Sequence, residues 1–188
     1  MDRRKVKTIK SIREAFAKLL QTKRYGEITV QDILDEANVG RSTFYEHFRT
    51  KDELLHLICD DIFDHVFCHT LSPEAHHDFS HTDDYRHVVE HTFYHFEEQK
   101  GLIKGILRSE GREIFVDDLN KHLHSLVYDY IFKVYQCTKF DEDLLVNHLI
   151  STLTELALWW LNRDCAESPE KMAEYYFWLI IPVLTAKD

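Results

Sequence analysis

Near its start the chain carries two helix-capping boxes twenty-one residues apart, Thr29 to Asp32 and Thr50 to Glu53. In each, a hydroxyl can accept an N–H of the first helical turn while an acidic residue three positions on reaches back, so each marks the start of a helix. Between the boxes stands Asn38-Val39-Gly40, whose Asn and Gly accept the backbone angles a tight turn requires. Before them Ile9, Ile12, Phe16 and Leu19 recur at spacings of 3, 4 and 3, one face of a helix over about 4–22 that stops near Tyr25-Gly26. The pattern predicts short helices over about 30–37 and 41–47. A long fourth helix then carries Leu54, Leu55, Ile58, Ile62, Val66 and Phe67. Helix, turn, short helix and capped support helix describe a helix-turn-helix.

The rest of the chain reads as helix as well. With only 5 Gly and 3 Pro in 188 residues, and 44% of residues hydrophobic, there are too few breakers for a turn-rich fold and enough apolar surface for a sizeable core. Residues 71–83 dissolve into Ser, Pro, His, Asp and Thr and read as a loop. Helices are expected over about 84–99, 101–108 and 111–137. Two regular helices close the chain: Leu145, Leu149, Thr152, Leu156 and Trp159 step by 4, 3, 4 and 3, as do Met172, Tyr176, Leu179 and Val183. Ser168 and Pro169 suit the cap and first position of the last helix, and Pro182 should kink it near its end. The expectation is an all-α chain of about nine helices. A helix-turn-helix DNA-binding domain over 1–50 is followed by a helical body over 51–188.

Net charge is −10, an unpromising balance for a partner of nucleic acid. Its distribution reverses that reading. Residues 1–51 hold 12 Lys or Arg against 7 Asp or Glu, a net of +5, whereas residues 52–188 hold 11 against 26, a net of −15. A basic quarter on an acidic body suits phosphates on one surface and something else on another. In Arg41-Ser42-Thr43-Phe44-Tyr45-Glu46-His47-Phe48, Phe44 and Phe48 lie four apart and can pack inward beside Ile33 and Ala37. Arg41, Ser42, Thr43, Tyr45 and His47 are then left outside as donors, which suits groove binding. Tyr45 and His47 could instead be half-buried supports of the turn, and Lys51 a solvated lysine. No apolar stretch follows the basic start, and the longest unbroken apolar run is Phe177 to Leu184, so neither a secretory signal nor a membrane span is expected and the default is a cytoplasmic protein. The cysteines Cys59, Cys68, Cys137 and Cys165 show no ligand spacing for zinc and read as reduced, small hydrophobes. There is no nucleophile–base motif or phosphate-binding glycine loop, so no enzyme activity and no cofactor are expected.

Over Ile28 to Leu55 the chain resembles the TetR family of repressors: the T-x-x-[DI]-I-x-x-x-A-x-V signature, the F-Y-x-H-F core and the closing K-[DE]-x-L are all present. The motif covers roughly residues 5–60; beyond it, Phe96 to Leu107 and the Gly101 to Gly105 spacing resemble the core of one family subset. The resemblance implies that Thr29, Arg41, Thr43, Tyr45, His47 and Lys51 contact phosphates or bases of a palindromic double-stranded operator. Arg41 and Thr43, at the start of the recognition helix, would read base edges, with Arg41 the best candidate for a guanine contact. Two departures bear on the operator. Gly40 stands where the family usually has Ser or Thr, and Glu46 where many members have a neutral or basic residue.

The resemblance further implies a homodimer built through the last two helices, with Leu145, Leu149, Thr152, Leu156, Met172, Tyr176, Leu179 and Val183 as candidate interface residues. From the residues alone, the same stripes could simply fill a monomer core. It also implies an unidentified small-molecule effector enclosed by the middle helices. Candidate lining residues are Phe63, Phe67, His91, Phe96, Tyr128, Phe132 and Trp159, among other aromatics such as Phe93 and Phe115; any of them could equally be core. Thirteen histidines are the compositional oddity, with His87, His91 and His95 spaced by four and His65 and His69 a second such pair. Imidazoles at that spacing can hold a metal or sense pH, but the segment is so polar that a solvated face is the simpler expectation, with no metal. Two other readings stand beside the repressor: an activator whose body docks a partner protein, and, more remotely, a helical metalloenzyme using the His87, His91 and His95 stripe.

Overall fold

The computed structural model describes residues 3–68 and 85–186, and every regular element among them is helical. In order they are α1 (Arg3–Thr22), a 3₁₀ turn (Tyr25–Glu27), α2 (Val30–Ala37), α3 (Arg41–Tyr45), α4 (Lys51–Cys68), α5 (Tyr85–Glu98), α6 (Lys100–Leu107) and α7 (Gly111–Val127). α7 runs on through a π turn (Tyr128–Phe132) into α8 (Lys133–Tyr135); α9 (Glu142–Asn162) and α10 (Pro169–Leu184) follow. The loop expected over 71–83, His69, and the side chains of His65, Val66, Phe67 and Cys68 lie outside the described residues.

The first capping box forms and the second keeps only its hydroxyl half. Thr29 Oγ1 accepts the Asp32 N–H at 3.1 Å while Asp32 Oδ2 accepts the Thr29 N–H at 2.8 Å. At the second, Thr50 Oγ1 accepts the Glu53 N–H at 3.2 Å, but the Glu53 carboxylate reaches one residue further back, to the Arg49 N–H at 2.7 Å. The tight turn is made by Asn38 alone, at φ 52°; Gly40 sits in ordinary extended backbone at φ −75°. The expectation that Gly40 is there for turn geometry therefore fails.

The chain divides into two compact units, one within Met1–Asp61 and Gly101–Val116, the other within Ile62–Lys100 and Asp117–Asp188. The expected break between 50 and 51 falls inside the first unit. The reason is packing: Leu54 and Leu55 of α4 are fully buried there, as are Ile103 and Ile106 of α6. α6 approaches α1 so closely that a Cβ on Gly105 would stand 2.0 Å from the Leu20 carbonyl oxygen, whereas one on Gly101 would meet nothing within 4 Å. Of the Gly101 and Gly105 pair, only the second is a packing glycine. Ile12, Phe16, Leu20, Ile33 and Phe44 complete this core. Burial of each large side chain stabilises by about 1.5–3 kcal/mol, against about 0–1 kcal/mol for a surface ion pair. The core, rather than the Arg13–Asp61 bridge at 2.5 Å, therefore holds the unit together.

In the second unit α10 lies along α5 and against α9. Phe93 of α5 meets Trp160 of α9 edge to face, ring centres 5.3 Å apart. The α9–α10 connection turns on two consecutive left-handed residues, Asp164 at φ 59° and Cys165 at φ 58°, braced by the Trp160 indole N–H donating to the Glu167 carbonyl at 2.9 Å. Ser168 caps α10 as expected, and α10 continues two residues past Pro182 to Leu184.

Three expectations need correction in this unit. Leu145, Leu149, Met172 and Tyr176 are buried inside one protomer, the Tyr176 hydroxyl donating to the Leu149 carbonyl at 3.1 Å, so they have no surface to offer a second copy. Each of these helices is apolar on two adjacent faces, and a single stripe read from spacing chose the inner one. Trp159 is 44% exposed, so it lines no interior pocket. The histidine stripe is not a solvated face: His91 and His95 are 7% and 5% exposed. They recur with Val88 and Thr92 at spacings of three and four, the buried face of α5, while only His87 is partly open.

Candidate nucleic-acid interface

α2 and α3 are short because their ends are chemically marked: Thr29 caps α2, Asn38 closes it, and α3 is anchored by its aromatic residues. Phe44 is fully buried and stacks obliquely on Phe48 at 5.5 Å. Tyr45 meets Phe44 edge-on at 5.4 Å yet stays 50% exposed, and His47 lies edge-on to Phe48 at 6.4 Å. The supporting and the exposed roles weighed for Tyr45 and His47 thus coexist. The buried rings hold α3 in place, and Ser42, Thr43, Tyr45 and His47 make no side-chain hydrogen bond among the described residues. Their donors remain available for phosphate or base edges.

Arg41 is exposed and its guanidinium donates to Gln31 Oε1 at 3.2 Å; the Gln31 amide in turn donates to Asp35 Oδ1 at 2.8 Å. This relay runs from the first residue of α3 back along α2 and was not foreseen, although the Gln31 and Asp35 spacing of four is legible on a helix. Gly40, the N-cap of α3, supplies no side-chain cap. Glu46 is exposed at the end of α3.

Two of the expected contact residues do structural work first. The Thr29 hydroxyl is engaged with Asp32, accepting its N–H and donating to Oδ2 at 2.6 Å. The Lys23 ammonium at 2.8 Å and the Thr29 donors hold the Asp32 carboxyl well below the usual carboxylate range, so it stays ionised at the mouth of α2. Lys51 donates to the carbonyls of Tyr25 at 2.7 Å and Ile28 at 3.0 Å and lies 4.2 Å above the Tyr25 ring. Two of its three donors are therefore used, and partial burial lowers its pKa. Tyr25 is itself pinned, its hydroxyl donating to Asp52 and its N–H to Ser109 Oγ at 3.2 Å.

In the second unit, Phe63, Phe93 and Phe96 are fully buried, and in the first so is Phe115. Tyr128 and Phe132 are half-buried and stack in a ladder with His124, ring centres 5.9 and 5.5 Å apart. On the outer face of α9 and α10 an open groove of about 480 Å3 is lined by Thr152, Glu155, Leu156, Trp159, Tyr175, Trp178 and Leu179. Trp178 and Leu179 are 61% and 55% exposed. Thr152, Leu156 and Leu179 are thus the expected interface residues that do reach this groove, while Val183 is partly exposed further along α10.

Residues 12–58 match the model of bacterial regulatory proteins of the tetR family, and residues 83–181 match that of a transcriptional regulator C-terminal region. The chain belongs to the TetR family of transcriptional regulators. The fold of a TetR transcriptional regulator from Streptococcus agalactiae superposes with a TM-score of 0.78 at 32% identity, covering 95% of this chain and 96% of that one. Two further relatives match over about a third of this chain. The HTH-type regulator YxbF of Bacillus subtilis is 39% identical over 71 residues, 35% of this chain and 19% of that protein. DhaS of Lactococcus lactis, an activator of the dhaKLM operon, is 41% identical over 56 residues, 30% of each protein. This TetR-family chain is therefore a DNA-binding regulator in a family of regulators, not of enzymes.

Proposed function

We propose that this TetR-family regulator is a homodimeric repressor that reads a palindromic operator and is released from it by a small-molecule effector. The observation that carries the DNA-binding part is the outer face of α3: an exposed, relay-held Arg41 beside Ser42, Thr43, Tyr45 and His47, whose donors are unspent, on a buried Phe44 and Phe48 base. Arg41 and Thr43 read base edges, and Tyr45, His47 and the remaining Lys51 donor hold phosphates. A helix this short binds weakly alone, so two copies on half-sites about 34–36 Å apart supply the affinity. The second copy docks on the Trp159, Trp178 and Leu179 face of α9 and α10, whose exposed apolar residues are otherwise costly in water. The effector is held among the aromatic side chains of the second unit, and its preference for one conformation shifts α4, whose residues divide between the two units. The chain works in the cytoplasm, where its operator lies.

Salt titration of binding to the DNA upstream of its own gene, with Arg41→Ala and Tyr45→Ala alongside, tests this reading. A steep fall of affinity with salt, lost or relaxed in the variants, supports it; binding no tighter than to random DNA, there and after selection from random pools, refutes it. A second reading is favoured by the similarity of part of this chain to DhaS, an activator. Here the body docks a partner protein and transcription rises; in vitro transcription from the bound promoter separates the two by its sign.

A further inference from the structure

α5 places two imidazoles against one another inside the second unit. His91 Nε2 and His95 Nε2 are 2.9 Å apart, and both residues are more than nine-tenths buried. At that distance one nitrogen carries a proton and the other a lone pair, because two N–H groups or two lone pairs would repel. Glu98 decides which. Its Oε2 lies 3.0 Å from His95 Nδ1, so His95 carries its proton on Nδ1, donates it to the carboxylate, and presents the Nε2 lone pair toward His91.

The pair is poorly shaped as a hydrogen bond. The ring centres are only 4.3 Å apart and the rings stand at 83°. A linear N–H···N contact of that length would hold the centres roughly 5 Å apart. The two nitrogen axes are therefore inclined to each other rather than collinear. Two nitrogens about 3 Å apart are what adjacent positions on one divalent ion require when each bond is about 2.0–2.1 Å. A carboxylate on the far nitrogen of a ligating histidine is also the usual outer partner that fixes the tautomer and raises ligand basicity.

We propose that His91 and His95 form a bidentate imidazole site for a divalent first-row transition ion of the Zn2+ or Ni2+ class, with Glu98 as the positioning residue behind His95. Loading forms two N–metal bonds and breaks the Nε2–H···Nε2 contact. The His91 proton moves from Nε2 to Nδ1, so the neutral pair loses no proton and no electrons are transferred. The inference does not depend on the operator or on the organic effector.

The experiment is titration of the metal-stripped full chain with Ni2+ and Zn2+ by calorimetry, joined to X-ray absorption of the Ni2+-loaded protein. His91→Ala, His95→Ala, Glu98→Gln and a double variant His76→Ala/His77→Ala, in the histidine-rich stretch within residues 71–83, are compared, with circular dichroism to confirm folding. One equivalent per chain with imidazole nitrogen in the absorption spectrum is expected. Affinity should be unchanged in the double variant, about 10–100-fold weaker in Glu98→Gln, and lost in either histidine variant. Undiminished binding in folded His91→Ala or His95→Ala overturns the site, as does loss of binding in the double variant, which would assign the metal to the histidine-rich stretch instead. Should the histidine variants not fold, an absorption spectrum of the wild type without imidazole ligands overturns it on its own.

Discussion

The Arg41 guanidinium donates to the Gln31 side-chain carbonyl at 3.2 Å, tying the first residue of α3 to the second of α2. Gln31 is held in turn by Asp35 at 2.8 Å. An arginine aimed by a relay loses less side-chain freedom on meeting a base than one moving freely. Arg41→Ala should cost about 1–3 kcal/mol and relax discrimination at one base pair. Gln31→Ala should reproduce the relaxed specificity with a smaller loss. Selection from random DNA followed by sequencing checks both, and an unchanged base profile in Gln31→Ala would deny the relay any role.

Gly105→Ala should destabilise the chain by about 3 kcal/mol, because its Cβ would meet a backbone carbonyl that cannot turn aside. Gly101→Ala, four residues earlier in open space, should stabilise by about 0.5 kcal/mol through helix propensity. Urea denaturation of both variants tests the contrast, which composition alone does not suggest.

Leu179→Arg should leave the protomer folded and dissociate the proposed dimer, since Leu179 is 55% exposed on the groove face. Leu149→Ala, fully buried, should instead cost about 2–5 kcal/mol of stability. Sedimentation velocity and thermal melting distinguish the two outcomes, and a Leu179→Arg protein that remains a dimer refutes the proposed face.

Tyr94 donates to Glu170, and that hydrogen bond is the main reason its pKa is pushed up from 10.0 to about 12. The folded value lies above the ordinary one, so the stabilisation is complete below pH 10 and is lost as pH rises toward about 12. The stability difference between wild type and Tyr94→Phe should therefore shrink across that window. Denaturation midpoints measured at stepped pH give the answer.

Gly40→Ser should raise stability by a few tenths of a kcal/mol by giving α3 the hydroxyl cap it lacks. The same change leaves the Asn38 turn untouched, since Gly40 does not use a left-handed conformation. A lowered melting temperature would contradict this account of the turn.

What the sequence determined by itself is whatever rests on local chemistry. Thr29, Thr50, Asn38 and Ser168 mark helix ends through bonds to residues within a few positions, and Phe44 and Phe48 declare a buried side through their spacing. The helix-turn-helix and its exposed donors were legible for that reason. Tertiary structure decided everything that depends on which of two apolar faces is covered. Leu149 and Leu179 both lie on apolar helices, yet α5 and α9 pack against α10 on one side only, so one is core and the other is surface. The same packing took His91 and His95 into the interior against the polarity of their neighbours, and the approach of α6 to α1 separated Gly105 from Gly101. Periodicity reports that a face is apolar; only the neighbouring helix says what will bury it.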